Sequence, residues 1–139
     1  MRLCHDFVDR YKAWREDGKG ILLVVCVGSG KTHLAAACVH ALTAQQVPCL
    51  FVSVPDYLDR LRQSYRKDHQ DTEEVEHEAA SVAVAILDDL GSERIAADER
   101  GDWARERLYV LVNSRYEGEI PTIITTNCDR ETLEARLGA

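Results

Sequence analysis

The chain has 139 residues, 45% of them hydrophobic and 29% charged, with a formal net charge of −7. That length suits one domain with a buried core and is short for two. The acidic balance excludes a protein that grips nucleic acid over its whole face and leaves room only for local contacts of that kind.

Residues 3–16 place Leu3, Phe7, Val8, Tyr11 and Trp14 at helical spacing, which predicts one short amphipathic helix closed by Asp17-Gly18-Lys19-Gly20. Ile21 to Val25 is a continuous apolar run, the pattern of a strand buried on both faces. A helix is expected from Thr32 to about Gln46, then a strand at Cys49–Val52, then a helix opened by Pro55-Asp56 and running to about Lys67. The acidic stretch from Asp68 to Glu78 reads as a solvated loop or an exposed helix. Val82–Leu87 is a third buried strand ending in Asp88-Asp89, and a helix is expected from about Asp102 to Tyr116. Thr122–Thr126 is a fourth strand, and Glu131–Leu137 starts a last helix. Alternating helices and apolar strands specify an α/β fold, a parallel sheet with helices on both faces.

No apolar run is long enough to span a membrane, and the N-terminus lacks the apolar core of a signal peptide, so a cytoplasmic protein without a membrane partner is expected. Cys4, Cys26, Cys38, Cys49 and Cys128 are odd in number and contain no C-x-x-C pair. They are expected to act as small hydrophobes rather than as disulfides or zinc ligands.

Chemistry concentrates after the strands. A strand, a glycine-bearing turn and Lys31-Thr32 at a helix start form an anion site, because backbone N–H groups and the positive helix end converge on a phosphate. The candidate nucleotide-binding residues are Val27, Gly28, Ser29, Gly30, Lys31, Thr32 and His33, with ATP and Mg2+ as the expected ligands. Lys31 is suited to the β- and γ-phosphates, and Thr32 to the metal. The usual spacing G-x-x-x-x-G-K-[ST] puts its first glycine at Val25. If that position needs positive φ, a β-branched residue costs on the order of 1–3 kcal/mol, roughly ten- to a hundredfold in affinity. Alternatively, Val25 extends the strand and Gly28 and Gly30 shape the loop.

Asp88 and Asp89 sit at a strand tip, where adjacent side chains diverge: Asp88 toward the metal, Asp89 toward an attacking water as orienting base. An acid there also serves as a helix N-cap or loop residue. Asn127 ends the fourth strand and either addresses the γ-phosphate and water or caps the next helix.

Several segments together resemble the AAA+ ATPases of the DnaC-type helicase-loader family, which includes the IstB-like transposase-accessory ATPases. They are Gly18–Leu23, Gly28–Ala35, Phe51–Leu58, Leu87–Gly91, and Arg115-Tyr116 followed by Pro121–Asn127. The resemblance implies a P-loop core over 1–139, with Walker A at 25–32, Walker B at 86–89 and sensor 1 at Asn127. It implies ATP binding with weak hydrolysis, catalytic roles for Asp89 and Asn127, and Mg2+ held by Thr32 and Asp88. The implied partners are a replicative helicase and single-stranded DNA, the latter along Arg60, Arg62, Arg66 and Lys67 with Tyr65 among them. A solvated helix face, with Leu58, Leu61 and Tyr65 turned to the core, is the plainer account of that cluster. Alternatives are a transposase-accessory ATPase and a non-hydrolysing nucleotide-binding scaffold. The family's Gly-Pro loop opening is Val25-Cys26 here, Asp88-Asp89 matches its frequent Asp-Asp form where many AAA+ proteins have Asp-Glu, and its arginine-finger segment, fifth strand and helical lid are not among these 139 residues. With a sheet order of 5-1-4-3-2, strand 21–25 would then be an apolar edge, and self-association is expected.

Overall fold

All four apolar runs form strands, and every pairing among them is parallel. The structure is a computed structural model that describes residues 2–18, 21–24, 30–67, 69–91, 99–127, 129, 131, 132 and 135. The elements run α1 (Arg2–Asp9), α2 (Tyr11–Glu16), β1 (Ile21–Val24), α3 (Lys31–Ala44), β2 (Cys49–Ser53) and α4 (Val54–Lys67). They continue with α5 (His69–Ser81), β3 (Val84–Asp88), α6 (Glu99–Glu117) and β4 (Thr122–Thr126). The sheet order is β1-β4-β3-β2, which puts β1 at one edge and leaves β3 and β4 central.

Successive strand residues face opposite sides, so continuous apolar strands feed two cores. On one side Val84, Ile86 and Ile123 pack with Phe7 and Tyr11 of the N-terminal helices and with Ala35, Cys38 and Leu42 of α3. On the other, Val52 and Leu87 pack with Tyr57, Leu58 and Leu61 of α4, Ala79 of α5, and Ala104, Leu108 and Leu111 of α6.

The structure decides three local features that the sequence reading missed or left open. The first helix is two, broken at Arg10, where ψ is 33°. The break sets the Phe7 ring edge-on to both Tyr11 and Trp14, with centroids 6.0 and 5.3 Å away. The acidic stretch takes the helical one of its two expected states, because Thr72 and Ala79 are buried and Glu76 pairs with Arg107 at 2.9 Å. Tyr65 faces solvent rather than the core, whose α4 positions are Val54, Tyr57, Leu58, Leu61 and Ser64.

Arg115 is fully buried, although arginine is rarely so. Its guanidinium donates to the carbonyls of Ala79 (3.0 Å), Val82 (2.8 Å) and Pro121 (2.8 Å) and to Thr122 Oγ1 (2.8 Å). It thereby ties the end of α5 to α6 and to the N-terminal ends of β3 and β4. Among the described residues no helix is long and apolar enough to cross a membrane.

Candidate functional site

The C-terminal tips of β1, β3 and β4 converge on the N-terminus of α3. Leu23 and Val24 pair with Thr125 and Thr126, and Leu87 pairs with Ile124. The segment leaving β1 therefore starts one strand away from the acids leaving β3, with β4 between them. In open α/β sheets such a crevice is where ligands bind.

Val25, Val27, Gly28 and Ser29 lie outside the described residues, as does the side chain of Lys31. Gly30 takes the left-handed conformation, φ 81°, as N-cap of α3, and an added Cβ would meet nothing within 4 Å. The first turn of α3 carries no acidic residue and no side-chain cap, so the positive helix end is not neutralised locally. Thr32 and His33 are exposed on that turn.

Asp88 is the last residue of β3 rather than the first after it, and it is 4% exposed. The Thr32 hydroxyl lies 3.1 Å from both its carboxylate oxygens. Two residues 56 positions apart are thus brought together as a set of hard oxygen donors at a helix N-terminus. Such a set fits Mg2+, which takes one or two protein oxygens and completes its shell with water and phosphate.

Asp89 is half-buried and has φ 59°, a conformation aspartate tolerates better than most residues. It is held by β4: its N–H donates to Thr125 Oγ1 at 3.0 Å, and the next residue's N–H, Leu90, donates to the Thr125 carbonyl at 2.9 Å. The Thr126 hydroxyl donates to the Leu90 carbonyl at 2.6 Å. Asn127 is exposed in the bend directly after β4. Beyond it the Asp129 carboxylate accepts the Thr132 N–H at 2.7 Å. That bond holds the Asp129 carboxyl below its ordinary range.

Thr125 is the site residue that sequence reasoning missed. Its fully buried hydroxyl accepts from Asp89 N–H and donates to Asp88 Oδ1 at 2.5 Å. The available signal was a pair of threonines closing an otherwise aliphatic buried strand, where a hydroxyl needs a partner. The basic cluster on α4 divides. Arg60 lies 3.9 Å from Glu78, while Arg62 pairs with Asp59 at 3.0 Å and stacks on Trp103. Tyr65, Arg66 and Lys67 are exposed on the last turn.

This architecture is that of the P-loop AAA+ domains. Aquifex aeolicus DnaA, in a structure bound to AMPPCP, superposes with a TM-score of 0.78 over 95% of this chain and 38% of that one, at 19% identity. The DnaC helicase loader superposes with a TM-score of 0.80 at 32% identity, over 98% of this chain and 77% of that one. The chain belongs to the family of IstB-like ATP binding proteins, whose model matches residues 9–138. It is 27% identical over 130 residues to the replicative helicase loader DnaI of Bacillus subtilis, covering 93% of this chain and 39% of that protein. With the replicative helicase loader DnaC of Escherichia coli K12 it shares 23% over 111 residues, 80% of this chain and 43% of that protein. The chain therefore spans about two-fifths of the length of these relatives.

Proposed function

We propose that the chain is the ATP-binding core of a DNA replication protein of the helicase-loader type, holding Mg-ATP where β1, β3 and β4 meet α3. The observation that carries this reading is the meeting of Thr32 and Asp88, with both carboxylate oxygens 3.1 Å from the hydroxyl. The buried carboxylate accepts from the Thr32 and Thr125 hydroxyls and lies at the start of a helix whose first turn carries no acid. A bound Mg2+ would neutralise charge on the phosphates there.

The residues divide the work. Lys31 and the amides of 27–33 bind phosphate, Thr32 and Asp88 hold the metal, Asp89 is the base that orients or deprotonates water, and Asn127 addresses the γ-phosphate and positions that water. Asp89 has a shorter reach than glutamate would, so slow turnover is expected, with an arginine from a neighbouring subunit needed for efficient hydrolysis. The family membership and the loader relatives favour a replicative helicase as partner. Single-stranded DNA is assigned to Tyr65, Arg66 and Lys67, since Arg60 and Arg62 already have acidic neighbours. Self-association is assigned to the β1 edge of the sheet.

The test is titration of a fluorescent ATP analogue with Mg2+ into the chain, Lys31→Ala and Val25→Gly. Binding with a Kd of order micromolar is expected for the parent, weakened at least about tenfold in Lys31→Ala. If Val25→Gly matches the parent, valine simply extends the strand. Binding by Val25→Gly alone would mean that the natural loop does not hold nucleotide, and the proposal would fall to a non-hydrolysing scaffold.

A further inference from the structure

One hydroxyl links the two acids of the site. Thr125 Oγ1 has one hydrogen and two lone pairs. Its hydrogen goes to Asp88 Oδ1 at 2.5 Å, and a lone pair takes the backbone N–H of Asp89 at 3.0 Å. The residue is fully buried in the middle of the sheet, so water does not readily substitute for either partner.

The consequence is directional. The Asp88 carboxylate fixes where the Thr125 hydrogen points, and that leaves the lone pair aimed at the Asp89 amide. The Asp89 amide bond in turn helps hold a left-handed residue, φ 59°, in a conformation that a flexible chain would leave. The Leu90 N–H to Thr125 carbonyl bond closes the other side of the same turn. The direction in which the Asp89 side chain leaves the strand tip thus depends on a residue 36 positions away.

We propose that Thr125 is a positioning residue that couples the metal-holding acid Asp88 to the water-facing acid Asp89. Loss of its hydroxyl would misplace both without touching nucleotide. Thr126 serves as an internal contrast. It is equally buried on the same strand, yet its hydroxyl donates to the Leu90 carbonyl. The assignment of the acids to metal and water rests on the proposed ATP-binding function; the hydrogen-bonded clamp itself does not.

The experiment compares the parent chain with Thr125→Val, Thr125→Ser and Thr126→Val in two readouts. The first is amide hydrogen exchange at Asp89 in the nucleotide-free chain, normalised to overall unfolding stability. Thr125→Val, which keeps the β-branched shape, should speed that exchange about tenfold, the size expected for one lost hydrogen bond. Thr125→Ser should stay within about twofold of the parent. The second is the Mg2+ concentration that half-saturates binding of a non-hydrolysable ATP analogue. It should rise about tenfold in Thr125→Val and recover in Thr125→Ser, while Thr126→Val stays near the parent.

Equal effects of Thr125→Val and Thr126→Val on the Mg2+ requirement would overturn the proposal, since they would report general loosening of the strand. So would a Thr125→Val chain that matches the parent in both readouts. Should Thr125→Val fold too poorly to measure, Thr125→Ala removes the same hydroxyl without setting a methyl group against the carboxylate, and carries the same expectation. If the parent binds the analogue no better than Lys31→Ala does, the ATP-binding function fails. The Asp89 exchange rate then still judges the clamp.

Discussion

Replacing Arg115 by methionine tests how the sheet is held at the end opposite the site. The substitution keeps an unbranched side chain of similar length and removes only the guanidinium. Five acceptors lose their donor: the carbonyls of Ala79, Ala80, Val82 and Pro121 and the Thr122 hydroxyl, at 2.8–3.4 Å. The bonds to Ala79 and Pro121 are buried, so those two carbonyls cost about 1–3 kcal/mol each when left unpaired. A gain runs against this. Burial pushes the Arg115 guanidinium down to about 10, so the cation bears a desolvation cost that methionine relieves. The net loss is expected at about 3 kcal/mol, roughly 6–12 °C in Tm for a domain of this size. Urea unfolding followed by circular dichroism measures it, with an unchanged slope showing that the unfolded state is comparable. Arg115→Lys should fall between the two, because an ammonium offers three donors but not a planar fork. A Met variant within about 1 kcal/mol of the parent would refute the reasoning, and the buried cation would then be tolerated rather than needed.

Two further expectations concern titrating groups in the two cores. Burial, reinforced by the charge of Glu76, pushes the Tyr57 phenol up to about 12 from its ordinary value of 10.0. The unfolded chain therefore releases this proton first, and stability contributed by neutral Tyr57 is complete below pH 10 and lost as pH rises toward 12. Urea titrations across that window should show the parent losing on the order of 2 kcal/mol more than Tyr57→Phe; parallel curves would refute the account. The Cys38 thiol is likewise pushed up to about 12, first by burial and then by Cys4 beside it. Since the thiolate is the reactive species, alkylation of Cys38 in the folded chain at about pH 8 should be at least about a hundredfold slower than in urea. Mass spectrometry of timed iodoacetamide reactions reads this directly, and equal rates in both conditions would contradict it.

How much of this was legible in the sequence depended on whether the signal was local. The four apolar runs fixed the number of strands and their parallel pairing, because a strand hydrophobic on both sides leaves few alternatives. Gly30, Thr32 and Asp88 stood out because glycine, hydroxyl and acid are unexpected beside such runs. The break at Arg10 was invisible, since residues 3–16 keep helical spacing through it and only the packing of three aromatic rings shows its purpose. Tyr65 stood between an exposed stacking role and the core for a similar reason, and the structure exposes it. On α4 both Tyr57 and Tyr65 lie near the apolar stripe, and the choice falls to the contacts with α5 and α6. Thr125 and Arg115 escaped for a different reason. Both Thr125 partners, and the Ala79 and Val82 carbonyls that Arg115 reaches, lie more than 30 residues away, and nothing in a threonine or an arginine announces a distant carboxylate or carbonyl.

Both missed residues act through β4, Arg115 from α6 by way of Thr122 and Thr125 directly, and that placement explains how one sheet carries both stability and a polar site. Thr122 at the start of the strand accepts from Arg115, while Thr125 near its end serves Asp88 and Asp89. Between them Ile123 is fully buried in one core and Ile124 packs on the other. At about 3.3 Å per residue the two polar contacts lie roughly 10 Å apart along the strand, with aliphatic packing between. Sites that far apart with no shared partner normally contribute independently. The open end can then hold a buried carboxylate and a left-handed aspartate, both unfavourable for folding, because the closed end is fastened by bonds that do not involve them. A central strand suits this division better than an edge strand. It is flanked by β1 on one side and β3 on the other, so it reaches the segment leaving β1 and the acids leaving β3 at once.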